Sequence, residues 1–357
     1  MLFENKNSGD KQFKRKIANP TASLLSAVLV LFGVSFVIVG DAPLVPCKSD
    51  SSYVSVSDVW LPLCMPAVGN IPMLRFLPNF SNGEKISIPE GEIPENALPV
   101  ISLTLQPPMY MNGVDGVYIN NEAKKDIDIR ALLTAESPVE LKTDGSVQVL
   151  IYHTHGSESY NKEGLPYYGD EFYDVHSENL SENVVHVGQI ITERLRAKGI
   201  GVIHDTKMYD LEGYNDAYAR SCEGALDWLE LYPNITLILD LHRDTIVLED
   251  GSKYRPITKY ENKDSAQMMI LVGTGKASAP NDHWTENLSA AVKLQREAEN
   301  ICENIMRPIL LRNSGYNQHI SKGAFLVEMG TCGNSLKEAE LAAEILSSAI
   351  IKAFVSE

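Results

Sequence analysis

The chain has 357 residues, 44% of them hydrophobic and 22% charged, with a formal net charge of −16. That length and composition describe a globular protein with a sizeable core, in one large domain or two ordinary ones. A chain this acidic repels phosphates unless it carries a local basic patch, and none lies beyond the N-terminus, which excludes nucleic acid as a partner. The five cysteines are scattered with no C-x-x-C spacing, so they form no zinc finger; Cys47 and Cys64 are the candidate disulfide pair.

Residues 1–20 form a basic arm in which Lys6, Lys11, Lys14, Arg15 and Lys16 outnumber Glu4 and Asp10. Residues 21–40 carry no charge. Twenty helical residues rise about 30 Å, the thickness of the hydrocarbon core, so this run is expected to be a single transmembrane anchor. The positive flank stays in the cytoplasm and everything after Asp41 lies outside. A cleaved signal peptide is the competing reading, but the apolar run is longer than the usual h-region of about 7–15 residues and no A-x-A site follows.

Residues 41–100 are rich in Pro, Ser, Gly and Asn and read as an extracytoplasmic linker or stalk. Pro62, Pro66, Pro72 and Pro78 rule out a membrane helix in its most apolar part. Residues 101–145 are a lead-in segment with strand character at 101–105 and 116–120, a short polar helix-like stretch, and a turn at Thr143, Asp144 and Gly145. From residue 146 to 357 strand-like and helix-like runs alternate. Strands are expected at 147–153, 200–204, 234–240, 267–272 and 323–327. Helices are expected at 181–198, 216–231, 284–306 and from Ser335, where Glu338 completes a capping box. The alternation predicts one α/β domain, a mainly parallel sheet flanked by helices.

Three of these strands run off their C-terminal ends into ionisable residues. The first leads to His153, His155 and Glu158; the second to Asp240, His242, Arg243 and Asp244; the third to Glu328. Loops at the C-terminal edge of an open parallel sheet converge, so these groups are expected to meet in space. Imidazoles and carboxylates without cysteine suit a catalytic zinc site with three protein ligands and an open position for water. The expected ligands are His155, Glu158 and His242, with Glu328 as general base and acid. Glu178 and Glu182 are rivals for the carboxylate ligand. His153 and Asp244 are expected to support the site or touch substrate, and Arg243 to balance buried carboxylates or hold a substrate anion. Each piece has a blander reading as strand-end hydrogen bonding or salt bridging, but an isolated Glu328 would be costly as mere core. There is no nucleophile elbow, H-E-x-x-H helix, P-loop or complete dinucleotide fingerprint.

The runs IYHTHGSESY (151–160), NVVHVG (183–188), YNDAYARS (214–221), DLHRD (240–244) and VEMGTCGN (327–334) resemble the stage II sporulation protein P family. The similarity covers roughly residues 100–357, with the HTHxxESY and D-x-HRD pairing its most specific part. The resemblance implies a membrane-anchored, zinc-dependent N-acetylmuramoyl-L-alanine amidase of endospore formers that also cuts peptide cross-links. It implies peptidoglycan as substrate and work at the sporulation septum during engulfment, beside the D and M proteins of the same stage. The fold implied is N-acetylmuramoyl-L-alanine amidase-like, in which a histidine before glycine, a mid-sheet histidine and a V-E-x-G glutamate match His155, His242 and Glu328. In those amidases the ligand glutamate opens the following helix, which favours Glu182, whereas the HTHxxE signature of the sporulation family favours Glu158. At His186 a basic residue is expected instead. The rival to an enzyme is a non-catalytic wall-binding or scaffold subunit of the engulfment machinery.

Overall fold

A computed structural model of the chain describes residues 96–356, apart from 110, 163–164, 170–174 and 277. The basic arm, the apolar run 21–40, most of the linker and the Cys47–Cys64 pairing lie outside the described residues. Among the described residues, no helix is long and apolar enough to cross a membrane.

The elements in chain order begin with β1 (Leu98–Leu103), β2 (Ile119–Asn121) and α1 (Ile129–Thr134). Then come β3 (Val147–Tyr152), β4 (Tyr167–Tyr168), α2 (Val184–Ala197), β5 (Gly201–His204) and α3 (Ala217–Leu231). The centre of the domain is β6 (Leu237–Asp244), β7 (Lys253–Tyr260), β8 (Lys263–Ala266) and β9 (Met268–Gly273). A small ribbon, β10 (Gly275–Lys276) and β11 (Ala279–Pro280), leads to α4 (Trp284–Ile301). The chain closes with β12 (Ile309–Arg312), β13 (Ala324–Thr331) and α5 (Leu336–Phe354).

Seven strands form the main sheet in the order β2-β12-β9-β13-β6-β3-β5. β13, β6, β3 and β5 run parallel to one another, and so do β9, β12 and β2, but the two blocks meet antiparallel at β9 and β13. The sheet is therefore mainly parallel, as expected, with one reversed junction that the sequence did not announce. A second sheet, β4-β1-β7-β8, is built from β1 at the start of the lead-in segment, β4 from the chain after β3, and a hairpin whose turn residues Glu261 and Asn262 both have positive φ. Two left-handed turn residues match the twist of flanking antiparallel strands.

The faces of the main sheet are covered unequally. Val149, Ile151, Leu237, Leu239, Leu241 and Val327 pack with the apolar stripes of α2, α4 and α5 in the large core. On the opposite face Leu150, Tyr152 and Ile238 pack against Ala225 and Trp228 of α3, and Leu326 against Leu271 and Leu310. Strand side chains alternate between faces, so Asp240, His242 and Asp244 continue the row of Ile238 on this second, more thinly covered face. Burial on both sides explains why VQVLIY reads as a continuous apolar run instead of an alternating one.

Helix ends follow their local chemistry. The Asn183 side chain accepts from Val185 N at 3.0 Å to start α2, and Gly199, at φ 87°, ends the turn beyond it. α5 opens on the expected capping box of Ser335 and Glu338. Two boundaries differ from expectation in a way that matters. β6 was expected to end at Asp240 and β13 at Val327; both run on, to Asp244 and Thr331. Each is paired on both sides, and the ladder carries Glu328 directly opposite His242. These two groups thus project from strands, not from loops.

Candidate functional site

β3 delivers the first part of the site. Its last residue, Tyr152, is followed by a fully buried turn from His153 to Tyr160. Asp240 fixes this turn by accepting from Thr154 N at 2.9 Å and from Thr154 Oγ1 at 2.7 Å. Gly156 is needed because the chain passes Met208 closely: a Cβ there would lie 3.1 Å from the Met208 Cα and 2.7 Å from its Cγ. Backbone bonds from Glu158 N to His155 O and from Val184 N to Glu158 O hold the Glu158 end.

The side chains then converge. His242 Nδ1 lies 3.4 Å from Glu158 Oε2, and His242 Nε2 lies 3.0 Å from Asp240 Oδ1, without the alignment of a full hydrogen bond. The His155 and His242 rings are 5.4 Å apart, edge to face. His155 Nδ1, His242 Nε2 and Glu328 Oε2 are sealed from solvent with no hydrogen-bond partner. Buried polar atoms without partners are uncommon in native proteins, and three in one cluster mark a place where something polar is expected to bind.

Electrostatics separates the roles of these groups. Burial pushes the His155 imidazole toward its neutral form, and the charge of His242 adds to that. Burial also opposes charge on His242, but Asp240 and Glu158 outweigh it and hold its proton affinity well above the ordinary value. Glu158 keeps its charge against burial because His242 and Arg243 hold its carboxyl below the usual range. Glu328 goes the other way: burial, then the charge of Asp244, push its carboxyl well above the usual range, with His242 opposing. Two carboxylates with affinities driven apart in one buried cluster are the pattern of a charged ligand beside a proton carrier.

The donor set was tested against zinc. Two imidazoles on one tetrahedral zinc place their ring centres about 5.2 Å apart, and neighbouring ligand atoms about 3.3 Å apart, from bond lengths near 2.0–2.1 Å. The observed 5.4 Å and 3.4 Å fit those spacings. Asp240 behind His242 is the carboxylate–histidine support that metal-binding imidazoles usually have. Among the described residues no three His, Cys, Asp or Glu side chains are already gathered into a metal-holding group. The fit therefore rests on the paired spacings, the unpartnered His155 Nδ1 and the burial that disfavours charge on His155.

The other expected residues fall into place around this cluster. Glu182 is exposed, accepting from Ser177 Oγ at 3.0 Å and Asn179 Nδ2 at 2.9 Å, and Glu178 is exposed too, so neither joins the imidazoles. His153 turns away from His155: its Nδ1 sits 3.1 Å from Leu241 O and its Nε2 3.0 Å from His204 Nε2. It braces the residue before His242 and is fully buried, so the substrate contact considered for it is not available. Arg243 takes the first of its two expected roles, beside the buried carboxylate Glu158. Its guanidinium donates to Ser159 O, Thr245 Oγ1 and Val175 O, and its backbone N to Glu158 Oε2 at 3.0 Å. It balances Glu158 and clamps the turn, with all three guanidinium nitrogens engaged by the protein. Asp244 pairs with Arg307 Nη1 at 2.8 Å, one step along the ladder from Glu328. His186 bonds Glu340 at 2.8 Å between α2 and α5, on the other face of the sheet.

Sequence reasoning missed Arg307 and an aromatic group. Arg307 is buried, with Nε and Nη2 unpartnered, and its charge acts on Glu328. It arrives through the reversed block, where Arg307 N bonds Met268 O beside the start of β9. Tyr214 stacks on His155 at 4.0 Å, and Tyr218 meets His155 edge-on and lies parallel to the His242 ring. The YNDAYARS run carried both tyrosines, but nothing in its spacing assigned them to the site.

A family model for stage II sporulation protein P matches residues 112–351 of the chain. The chain belongs to the stage II sporulation protein P family. The matched region holds every strand of the main sheet and all the residues of the cluster. Stage II sporulation protein P of Bacillus subtilis strain 168 is 27% identical over 221 residues, 58% of this chain and 51% of that protein. The chain thus spans about half the length of this curated relative. In this chain HTHGSES on the β3 turn and DLHRD on β6 are held together by the Asp240 bond to Thr154 N.

Proposed function

We propose that this member of the stage II sporulation protein P family is a zinc-dependent N-acetylmuramoyl-L-alanine amidase that degrades septal peptidoglycan during engulfment. The observation that carries the reading is the buried juxtaposition of His155, the Glu158–His242 pair and Glu328 at one end of the sheet, where burial disfavours charge on His155 and Glu328. His155, Glu158 and His242 are the residues that would hold zinc. When bound, the metal supplies Lewis acidity and a water acidic enough to react near neutral pH.

The remaining work falls to the chain itself. Asp240 holds the His242 ring, and Arg243 N–H holds Glu158 Oε2, so two of the three ligands are fixed before any metal arrives. Glu328 is placed to take a proton from the attacking water and return it to the departing amine. Burial and Asp244 favour its protonated form, while His242 and Arg307 favour the charged one, so both states are within reach. The C–N bond breaks as that proton reaches the nitrogen, and the amine leaves neutral. The apolar run at residues 21–40 supports anchoring in the cell membrane with this domain outside, and the D and M proteins of the same stage are the proposed companions there.

The test uses the full chain, purified and assayed for zinc content and for peptide release from sacculi. Glu328→Gln is expected to keep zinc and lose digestion; His242→Ala is expected to lose both. Wild-type digestion by Glu328→Gln sinks the reading. A metal-free, inactive protein that still binds sacculi makes it a wall-binding scaffold instead.

A further inference from the structure

Tyr214 has two faces with different fates. One lies on His155, with ring centres 4.0 Å apart and planes 17° from parallel. The residue as a whole is 61% exposed, so the opposite face is presented to solvent. A large aromatic side chain left this open beside a buried polar cluster is the informative kind of exposure. The loop that carries it is built, not loose. Arg220 Nε donates to Tyr209 O at 2.9 Å and its Nη2 donates to both Tyr209 O and Gly213 O. Asp210 on the same loop accepts from Ser157 N at 3.2 Å and from the Ser157 hydroxyl, tying it to the His155 turn. Tyr218 and Tyr316, 6.0 Å apart, extend the aromatic surface toward His242.

We propose that the outward face of Tyr214, tiered on His155, is the floor of a subsite for an uncharged pyranose ring, the sugar adjoining the scissile amide. This rests on the amidase reading above. A tyrosine offers a flat, rigid, amphipathic surface at low entropic cost, which suits the apolar face of a sugar. Charge selects the sugar over the peptide. Glu212 and Asp216 flank Tyr214 in sequence and are exposed, Arg220 is committed to the carbonyls of its own loop, and the charges of Glu158 and Glu328 on the ring are set against those of His242 and Arg243. An anionic stem peptide is repelled there, whereas a neutral ring is not. Because His155 is the layer beneath, a ring on Tyr214 sits one side chain away from the proposed metal. The glycan then lies on the Tyr214 side, and the peptide leaves toward Glu328 and Arg307.

The test compares two small substrates on the full-length zinc-loaded chain. One is an N-acetylmuramoyl dipeptide; the other is the same dipeptide carrying only a lactyl group. The ratio of their kcat/KM values is expected to fall about fivefold to tenfold in Tyr214→Ala, through KM for the sugar-bearing substrate, and to be kept in Tyr214→Phe. Binding of a soluble neutral N-acetylglucosamine disaccharide, followed by calorimetry, gives a readout independent of turnover, and it is expected to weaken in parallel. An unchanged ratio with unchanged disaccharide binding overturns the proposal. Equal losses on both substrates together with lower zinc content also overturn it, by making Tyr214 a prop for His155. If wild type hydrolyses neither substrate, the amidase reading fails, and disaccharide binding alone decides the subsite: loss in Tyr214→Ala supports it, and no loss refutes it.

Discussion

Glu328→Gln should stabilise the metal-free protein, and by an amount that grows with pH. The Glu328 carboxyl sits opposite His242 with Oε2 sealed and unpartnered, and burial plus Asp244 push its proton affinity well above the ordinary carboxylate value. In the unfolded chain it ionises near pH 4.3. Between that pH and its raised folded value, the native state holds one proton more than the unfolded state. Stability from this group is therefore fully present below the unfolded value and is lost as pH rises, at up to about 1.4 kcal/mol per pH unit. Glutamine fills nearly the same volume, stays neutral and has no such slope. Urea unfolding of both proteins in chelator at pH 4, 5, 6 and 7 should give curves that coincide at pH 4 and separate steadily above it. The variant that cannot move a proton should be the more stable one at neutral pH. Parallel stability curves across this range would refute the claim that Glu328 is held protonated by its surroundings.

Further outcomes follow from the same geometry. Asp240→Asn leaves one amide oxygen facing Thr154 N–H, the Thr154 hydroxyl and His242 Nε2; zinc affinity, read by competition with a chromophoric chelator, should fall about 10–100-fold. Chelation should abolish wall digestion and zinc should restore it, whereas Glu182→Gln should leave zinc content unchanged. Gly330→Ala places a side chain at φ 83° with its Cβ 2.9 Å from Ala266 Cβ, next to the bulge after Glu328; denaturant unfolding should show a loss of about 1–3 kcal/mol. Arg243→Lys keeps the charge but cannot serve Ser159 O, Val175 O and Thr245 Oγ1 together, and should be destabilised by about 2–3 kcal/mol in the same assay.

What the sequence revealed depended on whether a signal was local. VQVLIY, NITLILD and QMMILV are apolar because their strands are buried on both faces, and the α2 and α5 helices declare themselves through periodic apolar stripes and caps. His155, His242 and Glu328 were legible because polar residues follow directly on such runs. The extension of β6 through Asp244 was not, since LHRD looks like a loop until β13 is known to pair with it. The β7–β8 hairpin was missed as well: KYRPITKY carries three cations and a proline, and its turn is Glu261–Asn262, without the usual glycine. Arg307 is the extreme case. It reaches the site only because β9 and β12 run against β13, and no residue pattern near it announces that reversal.

The β1–β7 pairing has a mechanical consequence. Val100 to Leu103 pair in parallel with Lys253 to Pro256, close to where the described chain begins. β7 is in turn tied to the far end of β13, because Thr331 Oγ1 donates to Tyr254 O at 2.7 Å and Asn334 Nδ2 donates to Pro256 O at 3.0 Å. A pull along the chain on the N-terminal side of Leu98 is therefore carried as shear across a row of backbone bonds, and passes within two links to the strand that bears Glu328. Load applied to the chain before Leu98 and the alignment of the proton-carrying group are thus borne by the same few bonds.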